Sequence, residues 1–180
     1  MKTLISICVA LSLLPYLIAS AGSQDKAKLQ QDIERSLKTN EPEWQCKKSL
    51  PEGDPAPNSP LSYRFDCRYK EQKNLQVSGS IYVLQSRQDA VNMLDRSQMM
   101  LQMNASKPQY GIGDQAYGYA GTGLAWITFR KENVFAQVNV SVGGLRSVTE
   151  PQPEVQVVSI QAFDIAKRFA FYLAQYTADN

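Results

Sequence analysis

The side chains that could carry out chemistry in this 180-residue chain are carboxylates and cysteines, because the sequence contains no histidine. Without imidazole groups, Ser-His-Asp and Cys-His nucleophilic sites are excluded, and zinc and copper lose their most common ligand. A pair of carboxylates, as in glycoside hydrolases, is the catalytic arrangement that remains. The candidates are scattered over predicted loops and outward strand positions: Glu41, Glu43, Glu52, Asp54, Asp66, Asp89 and Asp114. No spacing brings two of them together, so we predict no catalytic, metal-binding or cofactor-binding residues.

Residues 1–21 have the pattern of a secretory signal. One lysine, Lys2, precedes an apolar run over 4–18, and Ala19-Ser20-Ala21 forms an A-x-A cleavage site. The run is too short and too weakly flanked for a membrane span, and no cysteine follows the cleavage point to carry a lipid. We therefore expect a periplasmic or secreted protein without a stable membrane anchor, in which residues 22–180 form a single α+β domain.

Two cysteines lie beyond the signal segment, Cys46 and Cys67, while Cys8 lies inside it. In an oxidising compartment a disulfide between the two is the expected state. A reactive thiol pair or a metal site is the alternative, but the pair lacks C-x-x-C spacing and a histidine partner. Cys46 shares strand parity with Trp44, and Cys67 shares it with Phe65, so we predict that both cysteines face inward and can be bridged.

Four basic side chains share the outward parity of the first two strands: Lys47, Arg64, Arg68 and Lys70. Such a strip could bind an anionic glycan, a lipid headgroup or an acidic protein. The alternative is a solvated strand face whose lysines discourage pairing at a sheet edge. The formal net charge of the whole chain is only +2, so we predict no nucleic-acid partner.

Residues 111–142 predict the central hairpin of a sheet. Apolar and polar residues alternate over 124–130 and again over 133–142, as half-buried strands require. Pairing Phe129 opposite Val134 places every aliphatic side chain of both strands on one face. A two-residue turn of the mirror-image type needs positive φ, which does not suit this charged connection, so we expect a four-residue loop or a mildly strained turn.

The other face of this hairpin carries Trp126 and Phe135, which the same register makes diagonal neighbours. Two arrangements are open for these rings. A helix covers them, or they form a binding surface that is offered to a partner.

The segments G-I-G-D-Q-A-Y at 111–117 and I-T-F-R-K-E-N-V-F-A-Q-V at 127–138 carry a resemblance. They are similar to a pattern G-x-G-D-x-A-Y … F-R-K-G-N-x-x-x-x-V found in exported bacterial proteins and lipoproteins of unknown function. The resemblance covers about residues 110–142 and the C-terminal helix, and it implies a small α+β domain outside the cytoplasm. Glu132 stands where that family often has glycine. Read without the resemblance, Gly111, Gly113 and Asp114 predict a structured start of a strand, with Asp114 bonding N–H groups of its own turn.

The remaining patterns predict three helices and three more strands. Leu29, Ile33 and Leu37 form a narrow apolar stripe on a helix over 25–38. Ser86 and Asp89 form a capping box that opens the second helix. The third helix is expected to begin at Ser159, with Ile160 on the apolar face that packs against the sheet. Strands are expected near 44–46, 63–69 and 74–84, with Gly79 as a bulge or a point of close approach in the last of them. The result is an α+β fold, with an antiparallel sheet of about five strands covered by helices in the order α-β-β-β-α-β-β-α.

Three functions are compatible with these features. The first is an exported, non-catalytic interaction or structural domain of the bacterial cell envelope, whose partner is a protein or an anionic envelope polymer. The second is a carrier of a small apolar ligand, held between the sheet and a methionine-rich helix that contains Met93, Met99, Met100 and Met103. The third is a carboxylate-based hydrolase.

Overall fold

The computed structural model describes residues 26–49, 61–71, 74–100, 106–121, 123–142 and 153–176. The predicted signal segment, the proline-rich stretch over 51–60, residues 143–152 and Met103 lie outside these ranges. None of the helices in the described ranges is both long and apolar enough to cross a membrane.

The centre of the protein is one antiparallel sheet with the strand order β1-β2-β3-β7-β6-β5-β4. Its strands are β1 (Trp44–Lys48), β2 (Leu61–Tyr69), β3 (Leu75–Val83), β4 (Lys107–Gln109), β5 (Gln115–Gly121), β6 (Leu124–Lys131) and β7 (Val134–Val142). The structure confirms the α+β class and the antiparallel sheet. The strand count is corrected to seven within the described ranges.

Helices cover both faces of this sheet. α1 (Lys26–Asn40) and α3 (Pro153–Tyr176) pack against each other and against one face, whereas α2 (Arg87–Met100) packs on β6 and β7. Leu29, Ile33 and Leu37 of α1 are each 1% exposed, which confirms the predicted stripe. The buried apolar residues described in α2, Ala90 and Leu94, do not belong to the main core, so α2 covers the opposite face.

The main core lies between the sheet and the pair α1 and α3. It contains the inward residues of the central strands and the buried face of α3. That face is centred on Phe169, which is fully buried, while Ile160 is 62% exposed. The prediction that Ile160 belongs to the buried face is therefore wrong. The helix also begins at Pro153, six residues before the predicted start at Ser159.

The sequence analysis did not predict β4 and β5, and the reasons differ between the two strands. β5 has small residues at its inward positions, including Ala116 and Gly118, instead of the large aliphatic residues that mark a strand. At Gly118 the Phe163 ring of α3 occupies the space of a side chain, because an added Cβ would lie 2.7 Å from it. β4 has only three residues and contains Pro108, which argues against a strand except at a sheet edge.

The central hairpin confirms the predicted faces but corrects the register. Phe129 pairs with Ala136, and Lys131 pairs with Val134, so the loop consists of Glu132 and Asn133 only. The predicted register was wrong by two residues. Such an offset leaves every side chain on its face, because side-chain direction repeats every second residue. Glu132 has a φ of 48°, which confirms the strained-turn alternative.

Gly79 was predicted to be a bulge or a point of close approach, and the structure shows close approach. It pairs with both Phe65 and Val138 without a break in register. A Cβ at this position would collide with the Phe65 ring. The irregularity in β2 lies instead between Leu61 and Tyr63.

Candidate functional site at the β1 edge of the sheet

An open cleft of about 570 Å³ lies on the sheet face that α2 shares, at the end formed by β1, β2 and β3. We call it the polar cleft. Its lining residues are Gln45, Cys46, Lys47, Asp66, Cys67, Arg68, Gln76, Val77, Ser78 and Ser141. Most of them are charged, amide or hydroxyl side chains at outward strand positions, so the cleft offers polar contacts on a rigid sheet.

The charges on this face of β1 and β2 are three exposed cations around one half-buried acid, and of these Lys47, Arg68 and Asp66 line the polar cleft. Asp66 pairs with Lys47 across the β1–β2 ladder, and Arg64 and Arg68 lie two residues to either side on the same face of β2. Within the described ranges, no ion pair closer than 4.0 Å joins any of these cations to an acid. The three cations are therefore available to an anionic group.

The sequence predicts that Lys70 belongs to the basic strip, but the structure places it elsewhere. It lies just beyond the end of β2, where its Nζ donates a hydrogen bond to the Pro42 carbonyl oxygen at 2.6 Å. Three of the four predicted strip residues thus share one surface. Lys70 instead binds the segment that precedes β1.

A second cleft, of about 510 Å³, lies on the other side of β1 and is bordered by α1. We call it the helix-side cleft. Its lining residues are Glu34, Leu37, Lys38, Pro42, Trp44, Gln45, Cys46, Lys47, Lys48 and Tyr63. Lys48 donates to Gln30 Oε1 at 3.0 Å, and the Tyr63 hydroxyl donates to Glu34 Oε1 at 3.3 Å. Burial, reinforced by the Glu34 charge, raises the pKa of Tyr63.

The Cys46–Cys67 disulfide lies between the two clefts and confirms the predicted bridge. The two residues are directly opposite in the β1–β2 ladder, with their Cα atoms 3.9 Å apart. Cys67 is fully buried, but Cys46 is exposed because β1 is the edge strand. Residues directly opposite in a ladder share a face, so both cysteines point to the same side of the sheet, as predicted, but only Cys67 is buried there.

Trp126 and Phe135, the other predicted surface, are 5% and 2% exposed. They share the face on which α2 packs, so the covered arrangement is the one observed. The rings are not diagonal neighbours, because Trp126 pairs with Asn139 and Phe135 with Arg130. Trp126 stacks on Tyr119 and Phe135 packs against Tyr82, with centroids 5.9 and 5.8 Å apart. In this arrangement neither ring is available to a partner.

Of the methionines named in the ligand-carrier hypothesis, Met93 and Met99 have described side chains, and neither is fully buried. Met93 is half-buried and Met99 is 77% exposed. The helix instead presents Ala90, Leu94 and Ser97 to the sheet, one face of the 3.6-residue period.

Three of the candidate carboxylates are engaged within the fold. Glu41, 3% exposed, accepts two hydrogen bonds from the Arg168 guanidinium at 3.0 and 3.2 Å. Burial, together with the Glu41 charge, raises the pKa of the adjacent Tyr172. Asp114 binds Arg130, and Asp89 bonds Ser86 in the predicted capping box. No group of three or more His, Cys, Asp or Glu residues in the described ranges could hold a metal ion.

The amides and hydroxyls of the polar cleft were not identified from the sequence. Gln76 and Ser78 on β3 pair with Arg68 and Asp66 on β2, which places them on the charged face. Their even parity within β3 was visible, but only the β2–β3 register shows which cations they flank.

The fold and site define a protein with a seven-stranded antiparallel sheet, helices on both faces and a charged cleft at one edge. No protein-family model matches the sequence, and no curated protein matches it either. Membership of the exported bacterial family that residues 110–142 resemble therefore stays a prediction.

Proposed function

We propose that this protein is an exported, non-catalytic domain of the bacterial cell envelope that binds an anionic partner, a protein or an envelope polymer, at the polar cleft. The observation that carries this proposal is the group of exposed cations Lys47, Arg64 and Arg68 around a single acid, Asp66. Charges of one sign beside a cleft raise the local concentration of oppositely charged ligands and steer their approach.

Two other arginines behave differently: the side chain of Arg130 is 11% exposed and that of Arg168 is 49% exposed. Arg130 and Arg168 each bind a carboxylate, Asp114 and Glu41, at 2.9 and 3.0 Å. The cations at the polar cleft have no such partner within the described ranges. Amides and hydroxyls next to them, from Gln45, Gln76 and Ser78, can donate further hydrogen bonds to an oxyanion.

The experiment is retention on an immobilised anionic polymer, dextran sulfate, at low ionic strength. The double substitution Arg64→Glu and Arg68→Glu should abolish retention, because it reverses the charge of two of the three cations. The fold should persist, since both residues occupy exposed strand positions outside the core.

The matched control is Arg87→Glu with Arg96→Glu on α2. Both arginines are exposed, and the net charge of the protein changes by the same amount. This control should be retained nearly as strongly as the parent. Equal loss in both double variants would show attraction by overall charge alone, and unchanged retention of the first variant would reject the polar cleft as the site.

A further inference from the structure

We infer that β1 is a docking strand, on which an extended acidic segment of a partner protein adds to the sheet as an eighth strand. This inference rests on the proposed function, because it names the partner class for the same site. It starts from the hydrogen-bond pattern of β1, which determines which backbone groups the sheet leaves unused.

Odd-numbered residues of β1 point their backbone groups toward β2. Ser49 donates its N–H to the Arg64 carbonyl oxygen at 2.9 Å, and Lys70 donates to the Glu43 carbonyl oxygen at 3.1 Å. Successive residues of an antiparallel strand alternate: the N–H and C=O groups of one residue bond to one neighbouring strand, and those of the next residue point to the other side. The N–H and C=O groups of Cys46 and Lys48 therefore point out of the sheet, and Trp44 N–H is already bonded to the Glu41 carbonyl oxygen. In the described ranges, nothing pairs with these outward groups of Cys46 and Lys48.

The opposite edge of the sheet does not offer the same template. β4 has three residues, and its central Pro108 has no N–H to donate. Prolines at sheet edges are a common protection against strand addition. β1 contains no proline, and the Cys46–Cys67 disulfide ties its centre to β2. The edge is held in place before a partner arrives, which lowers the ordering cost of binding.

Both clefts border β1, so the side chains of an added strand would meet one cleft on each face of the sheet. An added strand directs successive side chains to opposite faces of the sheet. One set would enter the polar cleft beside Lys47 and Arg68, and the other would enter the helix-side cleft beside Lys38 and Lys48. At an edge without clefts these side chains would project into solvent.

The charges that line the two clefts favour an acidic partner over a second copy of this chain. The polar cleft contains Lys47 and Arg68 against one acid, and the helix-side cleft contains three lysines against Glu34. Acidic side chains in an added strand would meet an excess of cations on both faces. Pairing β1 with another β1 would bring two lysine-rich strands together, and like charges on neighbouring strands are destabilising.

The probe is a fluorescein-labelled peptide of alternating threonine and glutamate, measured by fluorescence anisotropy with the full exported chain. The matched control peptide has the same sequence with methyl groups on every backbone nitrogen, which removes the donors along both edges. If the peptide pairs through its backbone, the methylated form should bind about tenfold more weakly or worse, because each lost hydrogen bond contributes roughly that much.

Amide hydrogen exchange supplies an internal control. The N–H groups of Cys46 and Lys48 should exchange quickly in the free protein and about tenfold more slowly with saturating peptide. Those of Gln45 and Lys47, which already bond to β2, should change little.

Equal affinity for the two peptides, or unchanged exchange at Cys46 and Lys48 in the complex, would overturn strand addition. So would slow exchange at these two amides in a self-associated protein without peptide, because a second copy would then be the occupant. The proposed function is tested separately, since loss of dextran sulfate retention by the Arg64 and Arg68 variant does not require backbone pairing.

Discussion

Asp114 Oδ2 accepts two hydrogen bonds, one from Arg130 Nη1 at 2.9 Å and one from the Glu132 backbone N–H at 2.9 Å. Asp114 N–H in turn donates to the Arg130 carbonyl oxygen at 2.8 Å. One carboxylate thus joins the start of β5 to the strained turn between β6 and β7. The prediction that Asp114 bonds N–H groups of its own turn is wrong, because the N–H that it binds lies 18 residues further along the chain.

This contact gives a physical reason for the spacing in the G-I-G-D and F-R-K-E-N segments. Gly113 has a φ of +58°, and a Cβ at that position would collide with the Arg130 carbonyl oxygen. A glycine is needed there so that Asp114 can approach the hairpin. The two segments are therefore halves of one structural contact.

Asp114→Asn should lower the free energy of unfolding by about 2 kcal/mol, because it removes a charge-assisted contact from Arg130, whose side chain is only 11% exposed. Chemical denaturation with the midpoint and slope fitted together is the measurement. Asp32→Asn is the control, since the Asp32–Arg35 pair is 3.7 Å long and the Arg35 side chain is 77% exposed. It should change stability by less than about 0.5 kcal/mol. Equal effects of the two substitutions would show that the Asp114 contact adds nothing beyond a surface pair.

Trp126→Ala should destabilise the protein by about 3 to 5 kcal/mol, because it opens a cavity between α2 and the sheet and removes the stack on Tyr119. Thermal or chemical melting without added ligand measures this loss. Tyr110→Ala, at a residue that is 91% exposed, is the control and should melt like the parent. A Trp126 variant as stable as the parent would mean that α2 does not cover this ring in solution.

Stability should fall as the pH rises above about 10, because burial, reinforced by the Glu34 charge, raises the pKa of Tyr63 in the folded state. The unfolded chain then loses the Tyr63 proton at a lower pH than the folded protein does. This contribution is fully present below the unfolded pKa and decreases by roughly 1.4 kcal/mol per pH unit above it. Tyr172, whose pKa is also raised, acts in the same direction.

Denaturant midpoints between about pH 9 and 11 measure this dependence. Tyr63→Phe keeps the buried ring and removes the ionisable group, so the variant should lose a large part of the alkaline slope. Tyr110→Phe, at an exposed position, should keep it. An unchanged slope in Tyr63→Phe would assign the alkaline loss of stability to other groups.

Features that depend on local periodicity could be predicted from the sequence. The stripe Leu29, Ile33 and Leu37 and the Ser86–Asp89 cap were predicted correctly, because helix faces and caps are decided within one or two turns. The disulfide followed from cysteine count and strand parity. The alternation of the hairpin residues predicted the two faces but not the register, since an offset of two residues preserves every face.

The sequence by itself determined the α+β class, the inward and outward positions of the hairpin, the disulfide and the absence of histidine chemistry. Only the tertiary structure decided that Trp126 is buried on the sheet face where α2 packs, that Gly118 makes room for Phe163, and that Lys70 binds the Pro42 carbonyl oxygen instead of joining the basic strip. The physical reason is the range of the interactions. Periodicity depends on residues that are close in sequence. Which helix covers a sheet face, and which group binds a charged side chain, depend instead on segments distant in sequence, whose contacts are set by packing.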